Sequence, residues 1–179
     1  LRTAANYNTL NNARNPTSGD FLSLGTEQFI SVGQDSPTFN RAKTSYTHFF
    51  PVNWIKLAKG CRPKTGEDAN CPQAIGFQTK LGTIVGDLPP YEAFCLGGSS
   101  SVRGWNNCDL AVGRSFGEAS VEYRFPVWRL LSAAFFVDGA TSFGSQSNVP
   151  GKPGKLLGKN GSGFSPGAGL IVNTPVGPL

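Results

Sequence analysis

The chain contains no methionine and a single histidine, His48. No run of about 18 apolar residues occurs, which excludes a transmembrane helix. No segment carries a helical period of apolar residues, so α-helical folds are poorly supported. The net charge of +5 is spread over loops and alternating segments, leaving no basic patch with which to read nucleic acid. The triplet Lys152, Lys155 and Lys159 lies in a Gly/Pro-rich stretch and reads as a solvated turn. No C-x-x-C spacing is present, and with one histidine a zinc site has too few ligands. The start at Leu1 lacks both an initiator methionine and an apolar signal core. These terminal features, with the methionine-free composition, lead us to expect an internal piece of a longer protein. Residues 1–179 are expected to form one partial domain.

What is present is glycine (23), phenylalanine (13) and a repeated two-residue alternation of apolar and polar side chains. About seven antiparallel strands can be proposed, over roughly 1–10, 20–32, 38–52, 74–86, 113–127, 131–141 and 164–174. Most exceed the ~5–6 residues of a globular strand and match the ~9–11 that a tilted strand needs to cross a bilayer. The alternation is cleanest late in the chain. Val121, Tyr123 and Phe125 oppose Glu118, Ser120, Glu122 and Arg124; Phe135 and Val137 oppose Phe136 and Asp138. A one-residue slip would put Glu122 or Lys80 in the apolar layer, so the charges define the faces. Lys80, Glu118, Glu122, Arg124 and Asp138 are expected to face a lumen, with Val121, Tyr123, Phe125, Phe135 and Val137 toward lipid.

A soluble β-sandwich would show the same alternation. Strand length separates the two readings, as do Trp54 and Trp128 at strand ends, where aromatic belts sit in membranes. The fold class expected is therefore all-β, an antiparallel transmembrane β-barrel. An open edge in lipid leaves backbone groups unpaired, so about seven strands must belong to a larger closed barrel.

Four cysteines fall as two locally bracketing pairs, Cys61 with Cys71 and Cys95 with Cys108. Their even number and spacing favour two loop-closing disulfides in an oxidising compartment. The second pair brackets Gly97-Gly98-Ser99-Ser100-Ser101-Val102-Arg103-Gly104-Trp105. A guanidinium stays charged and offers a planar fork that can grip two carboxylates. Gly97, Gly98 and Gly104 allow close backbone approach to a wall. Arg103 bound to Glu122 and Asp138 would make this loop a brace folded into the lumen.

Val102 to Trp105 resembles the V-R-G-[FYW] motif in the sixth extracellular loop of the outer-membrane-protein assembly superfamily, the BamA-type insertases and their relatives. Glu122, Arg124 and Pro126 are similar to the family's E-x-R-x-P element. Phe136-Val137-Asp138-Gly139-Ala140 is similar to its F-x-D-x-G element, with glycine one place early. Asn15 to Phe21 looks like a P-x-x-G turn between barrel strands, and Asp87 to Phe94 like the approach to the arginine loop. Cys95-Leu96-Gly97-Gly98 and Arg114 to Glu118 look most like the cyanobacterial branch.

The resemblance implies the C-terminal portion of an about 16-stranded outer-membrane barrel. It also implies upstream periplasmic repeat domains and terminal seam strands outside this chain. The implied function is non-enzymatic: insertion of unfolded β-barrel clients into the outer-membrane bilayer, with no cofactor and no nucleic acid. The alternative within the family is a polypeptide-translocating pore, of the two-partner secretion type or in the chloroplast outer envelope. A soluble β-sandwich binding module is the alternative of another class. Gly163-Phe164-Ser165-Pro166-Gly167 fits the nucleophile-elbow pattern G-x-S-x-G, but Pro166 removes an N–H that an oxyanion hole needs, so the match is read as accidental.

Overall fold

A computed structural model of the chain describes residues 1–13, 15–30, 37–55, 73–128, 131–143, 161–174 and 177–178. The strands, in chain order, are β1 (Arg2–Asn8), β2 (Gly19–Phe29), β3 (Phe39–Val52), β4 (Gln73–Gly86), β5 (Phe94–Leu96), β6 (Ala111–Gly113), β7 (Ser115–Trp128), β8 (Leu131–Phe143), β9 (Ser162–Thr174) and β10 (Gly177–Pro178). One large sheet runs β1-β2-β3-β4-β7-β8-β9-β10, every neighbour antiparallel. The hairpin β5-β6 lies inside the β4–β7 connection. The sheet thus holds the seven expected strands plus the two-residue β10, which folds back on Thr174 and Asn173.

One boundary differs instructively. Sequence alternation ran a single strand from 113, whereas Gly113 closes the β6 hairpin against Phe94. Arg114 then turns the chain, its Nη1 donating to the carbonyls of Ile84 (2.9 Å) and Gly86 (2.8 Å), and β7 starts at Ser115. At its other end β7 continues to Trp128, with an irregularity between Pro126 and Trp128. Proline cannot donate to a ladder, and bulges are where sheets accommodate it.

Register assigns the two faces without ambiguity. Lys80 pairs Glu118, Gly76 pairs Glu122, Ser120 pairs Asp138 and Asp138 pairs Ser165, so these residues share the face over which the β4–β7 connection folds. Continuing the ladder outward adds Thr47, Phe49, Lys43 and Arg41 from β3, then Glu27 and Phe29 from β2. We call this the inner face. The outer face carries Leu24, Leu81, Val85, Val121, Phe135, Val137, Phe164 and Leu170, all exposed, the last at 70%. Large apolar side chains exposed together on one face of a sheet mark a lipid or protein contact. Trp54 and Trp128 are both exposed beside strand ends, as an interfacial aromatic girdle requires.

Two features stand out on this face. Phe125 was expected to face lipid and shares that face, but it is buried, stacked against Tyr123 at 5.3 Å and Phe135 at 5.6 Å. Neighbouring aromatics cover it. Asp20 points outward and accepts hydrogen bonds from Tyr46 (2.6 Å) and pairs with His48 (2.6 Å). It is the second residue of β2, so this polar cluster sits at the rim of the sheet.

The cores lie between the inner face and the loop. One joins Leu96, Val102, Leu110 and Ala111 to Phe116 and Ala140; the other joins Phe39, Ile84 and Leu88. The described residues therefore form one large sheet covered by its own connection, not two sheets packed face to face. Cysteines introduced one at a time in a cysteine-free, reconstituted complete protein should react with a membrane-impermeant maleimide at Gln78 and not at Val121, Phe135 or Val137. Equal labelling of both sets would contradict the assignment of the outer face to lipid.

Candidate functional site

The connection between β4 and β7 is built to hold one arginine. It leaves β4 through Asp87, whose N–H donates to the Thr38 carbonyl (3.0 Å) while its carboxylate accepts from the Thr38 N–H (3.0 Å). A single 3-10 turn follows at Pro90–Glu92. The β5-β6 hairpin is then closed by the Cys95–Cys108 disulfide across a Cα–Cα distance of 4.5 Å. Cys61 and Cys71, expected as the other pair, lie outside the described residues, as do Lys152, Lys155 and Lys159.

Between the cysteines the chain doubles back tightly. Gly98 N–H donates to the Trp105 carbonyl (2.9 Å) and Ser101 N–H to the Gly98 carbonyl (3.1 Å). Gly97 has φ +113°, and a Cβ there would lie 2.4 Å from the Asn106 carbonyl oxygen. Gly104 has φ +92°, and its Cβ would lie 2.6 Å from Ser165 Oγ on β9. Both positions therefore exclude a side chain on two grounds, left-handed backbone and lack of space. Val102 is fully buried beneath the tip with Leu96 and Leu110, while Trp105 packs partly against the same cluster.

These constraints aim Arg103 at the sheet. Its Nε and Nη2 donate to the two oxygens of Asp138 at 2.6 and 2.8 Å, and its backbone N–H also donates to Asp138 Oδ2 at 3.1 Å. Nη1 donates to Glu122 Oε2 at 2.5 Å. The Ser120 hydroxyl donates to Asp138 Oδ1 at 2.6 Å. The flat face of the guanidinium lies 3.5 Å from the centroid of the Phe136 ring. Asp138 is almost wholly buried, its side chain 2% exposed, against 32% for Arg103. The hydrogen bond to Asp138 is the main cause that pushes the Arg103 pKa upward, so the loop keeps its positive charge.

Supporting contacts flank the clasp. Ser101 Oγ donates to Glu118 and accepts from the Gly97 N–H (3.2 Å). Lys80 donates to the Ser100 carbonyl at 2.7 Å and pairs with Glu118 at 3.5 Å. Arg124 approaches Glu122 at 3.4 Å and lies over Phe49 at 4.8 Å. Glu122 is thus shared between two arginines, whereas Asp138 faces one. A cavity of about 450 Å³ remains beside the clasp, lined by Lys80, Arg103, Glu122, Arg124 and Asp138 among others.

Sequence reasoning singled out Arg103, Glu122, Asp138, Gly97, Gly98, Val102, Gly104 and Trp105, and the structure brings them to one place. It did not single out Ser120 or Phe136 as contributors. Nor did it see that β9 makes room for the tip. The inner face of β9 is Gly163, Ser165, Gly167 and Gly169, paired with Ala140, Asp138, Phe136 and Ala134. A Cβ on Gly163 would lie 2.7 Å from Leu110 and 3.2 Å from Trp105. The G-x-S-x-G match therefore lies within a regular strand, where its small residues form a seat. The available signal was the period-two recurrence of glycine and serine.

Replacing Cys95 and Cys108 together by alanine should lower stability by about 3 kcal/mol, because the unfolded chain regains the entropy that closing a loop near 15 residues removes. Denaturant midpoints under non-reducing conditions measure this. An unchanged midpoint would mean that the buried loop core alone restrains the hairpin.

The Omp85 superfamily domain matches residues 1–179. The chain is 41% identical over 108 residues to outer envelope protein 80, chloroplastic, of Arabidopsis thaliana, covering 60% of this chain and 15% of that protein. It is 34% identical over 144 residues to protein TOC75-3, chloroplastic, of the same plant, covering 80% of this chain and 16% of that protein. The chain thus spans about a sixth of the length of these relatives. The crystal structure of BamA from Haemophilus ducreyi lacking POTRA domains 1–3 superimposes with a TM-score of 0.71 at 19% identity, over 99% of this chain and 36% of that one. An outer apolar face, an arginine loop on the inner face and a family match over every residue lead to one assignment: the chain belongs to the Omp85 superfamily.

Proposed function

We propose that this chain is the C-terminal barrel portion of an outer-membrane protein that folds and inserts other β-barrel proteins. The observation that carries the reading is Arg103 held by Asp138 and Glu122 beneath a disulfide-closed loop. Such a brace fixes the curvature of the wall around a cavity without covalent chemistry. Client strands would add to an exposed strand edge elsewhere in the complete barrel, where unpaired N–H and C=O groups template pairing. The partners are the outer-membrane bilayer, unfolded β-barrel clients and periplasmic repeat domains upstream. BamA, whose POTRA domains 1–3 are absent from the matched structure, supports that domain arrangement by analogy.

The test is reconstitution of the complete protein in liposomes, following the appearance of folded, protease-resistant client from a denatured outer-membrane barrel protein. Client folding should accelerate with the wild type and fall toward the protein-free rate with Arg103→Ala. Equal rates with and without the protein would reject insertion. A second reading is favoured by the chloroplastic names of the relatives: a polypeptide-translocating pore in an outer envelope. Conductance blocked by an unfolded precursor peptide, without client insertion, would select it.

A further inference from the structure

A second arginine, outside the motif, holds the other end of the loop. Arg41 of β3 lies on the inner face, paired in register with Ile84 and Glu27. Its Nη2 donates to the backbone carbonyl of Glu92 at 2.6 Å and to the Glu92 carboxylate, while Nη1 donates to Glu27 Oε2 at 3.3 Å. Its side chain is only 13% exposed, and it lies between three phenylalanine rings, Phe29 at 6.0 Å, Phe39 at 5.8 Å and Phe94 at 5.6 Å. Phe94 belongs to β5, and Glu92 to the 3-10 turn before it, so the end of the loop's entry segment is gripped here. Leu88 is buried in the same cluster with Phe39 and Ile84, and Ala93 packs against it.

We propose that Arg41 is a second positioning residue, which makes the loop a tie fixed to the wall at two separate points. The proposal rests on the brace reading of Arg103 and extends it. Arg103 fixes the tip to β7 and β8; Arg41 fixes the root to β2 and β3, on the opposite side of β4. The two clasps have opposite polarity. At the tip the loop supplies the cation and the wall the carboxylates, whereas at the root the wall supplies the cation and the loop the carboxylate. A loop seated with its two ends exchanged would set Arg103 against Arg41 and Glu92 against Asp138 and Glu122, and like charges oppose that arrangement. Arg41 meets carboxylates on two sides and phenylalanine rings around it, which an ammonium on a flexible stem reproduces only partly.

Hydrogen exchange of the complete protein in lipid nanodiscs, read by mass spectrometry without a client, separates the two anchors. Arg41→Ala should speed exchange in 88–94 by about tenfold or more, while 101–105 stays within about twofold, because local opening is read segment by segment. Arg103→Ala should do the reverse. Glu92→Gln, which leaves the wall untouched, should match Arg41→Ala in direction, and Arg41→Lys should fall between it and wild type. Acceleration of both segments together by Arg41→Ala would overturn the two-point tie. No change at 88–94 in both Arg41→Ala and Glu92→Gln would overturn the anchor itself. Because no client enters the measurement, failure of the insertion reading and failure of this one are distinguishable.

Discussion

Asp138→Ala should unseat the loop tip and be the most damaging single change at the clasp. Asp138 accepts from Nε, Nη2 and the backbone N–H of Arg103 and from Ser120, so its loss strips four donors at once. Glu122 accepts one hydrogen bond from Arg103 and has Arg124 beside it, so Glu122→Ala leaves Arg103 still forked on Asp138. Breaking a buried pair by removing one partner costs ~3–5 kcal/mol. Arg103 is about a third exposed to the cavity, and water there screens the orphaned charge. The lower end of that range is therefore expected, about 3 kcal/mol, or roughly a hundredfold in the population with the tip released. Trypsin cleavage after Arg103 in the folded, reconstituted protein reports that population when reclosing outpaces cutting. Cleavage should rise roughly a hundredfold in Asp138→Ala and clearly less in Glu122→Ala. Equal rates in the two variants would show that the carboxylates share the load, against the asymmetry of their contacts.

Much of this site was legible because it obeys simple periods. Charges recurring every second residue assigned Glu118, Glu122, Arg124 and Asp138 to one face, and register in β7 and β8 placed them there. The glycines around Arg103 announced a tight approach, and the cysteines on either side announced a closed loop. The Arg41–Glu92 clasp gave no such signal. Glu92 sits in an irregular segment with no period, and Arg41 is one of two lysine or arginine residues in an alternating strand, so nothing local joins residues 51 positions apart. Phe136 was assigned to the polar face without a role, because a ring beneath a guanidinium is a tertiary fact. The β9 seat was legible in principle. Its glycines and serine read as a strand, but their smallness acquires meaning only once Trp105 and Gly104 lie over them.

Gly167→Ala should loosen the same clasp from beneath, without touching any charge. A Cβ at Gly167 would lie 2.3 Å from Phe136 Cζ and 2.6 Å from Cε2, so the ring must move. That ring supports the Arg103 guanidinium from 3.5 Å. Forcing an extra methyl into a filled space costs ~1–3 kcal/mol, and displacing the ring also forfeits its cation–π contact. Gly169 supplies the control: it is the next inner-face residue of β9 in the same strand, with nothing within 4 Å of a Cβ. In a strand, alanine without a clash is no worse than glycine, so Gly169→Ala should be neutral or slightly stabilising. Thermal unfolding in detergent, followed by loss of the compact, heat-modifiable form, should show a lowered midpoint for Gly167→Ala alone. Adding Phe136→Leu opens the space but removes the aromatic face, so the double variant should recover the midpoint while its tip remains more sensitive to trypsin than wild type. If Gly167→Ala and Gly169→Ala behave alike, the small residues of β9 reflect strand packing in general, and Phe136 is not the support through which the seat holds Arg103.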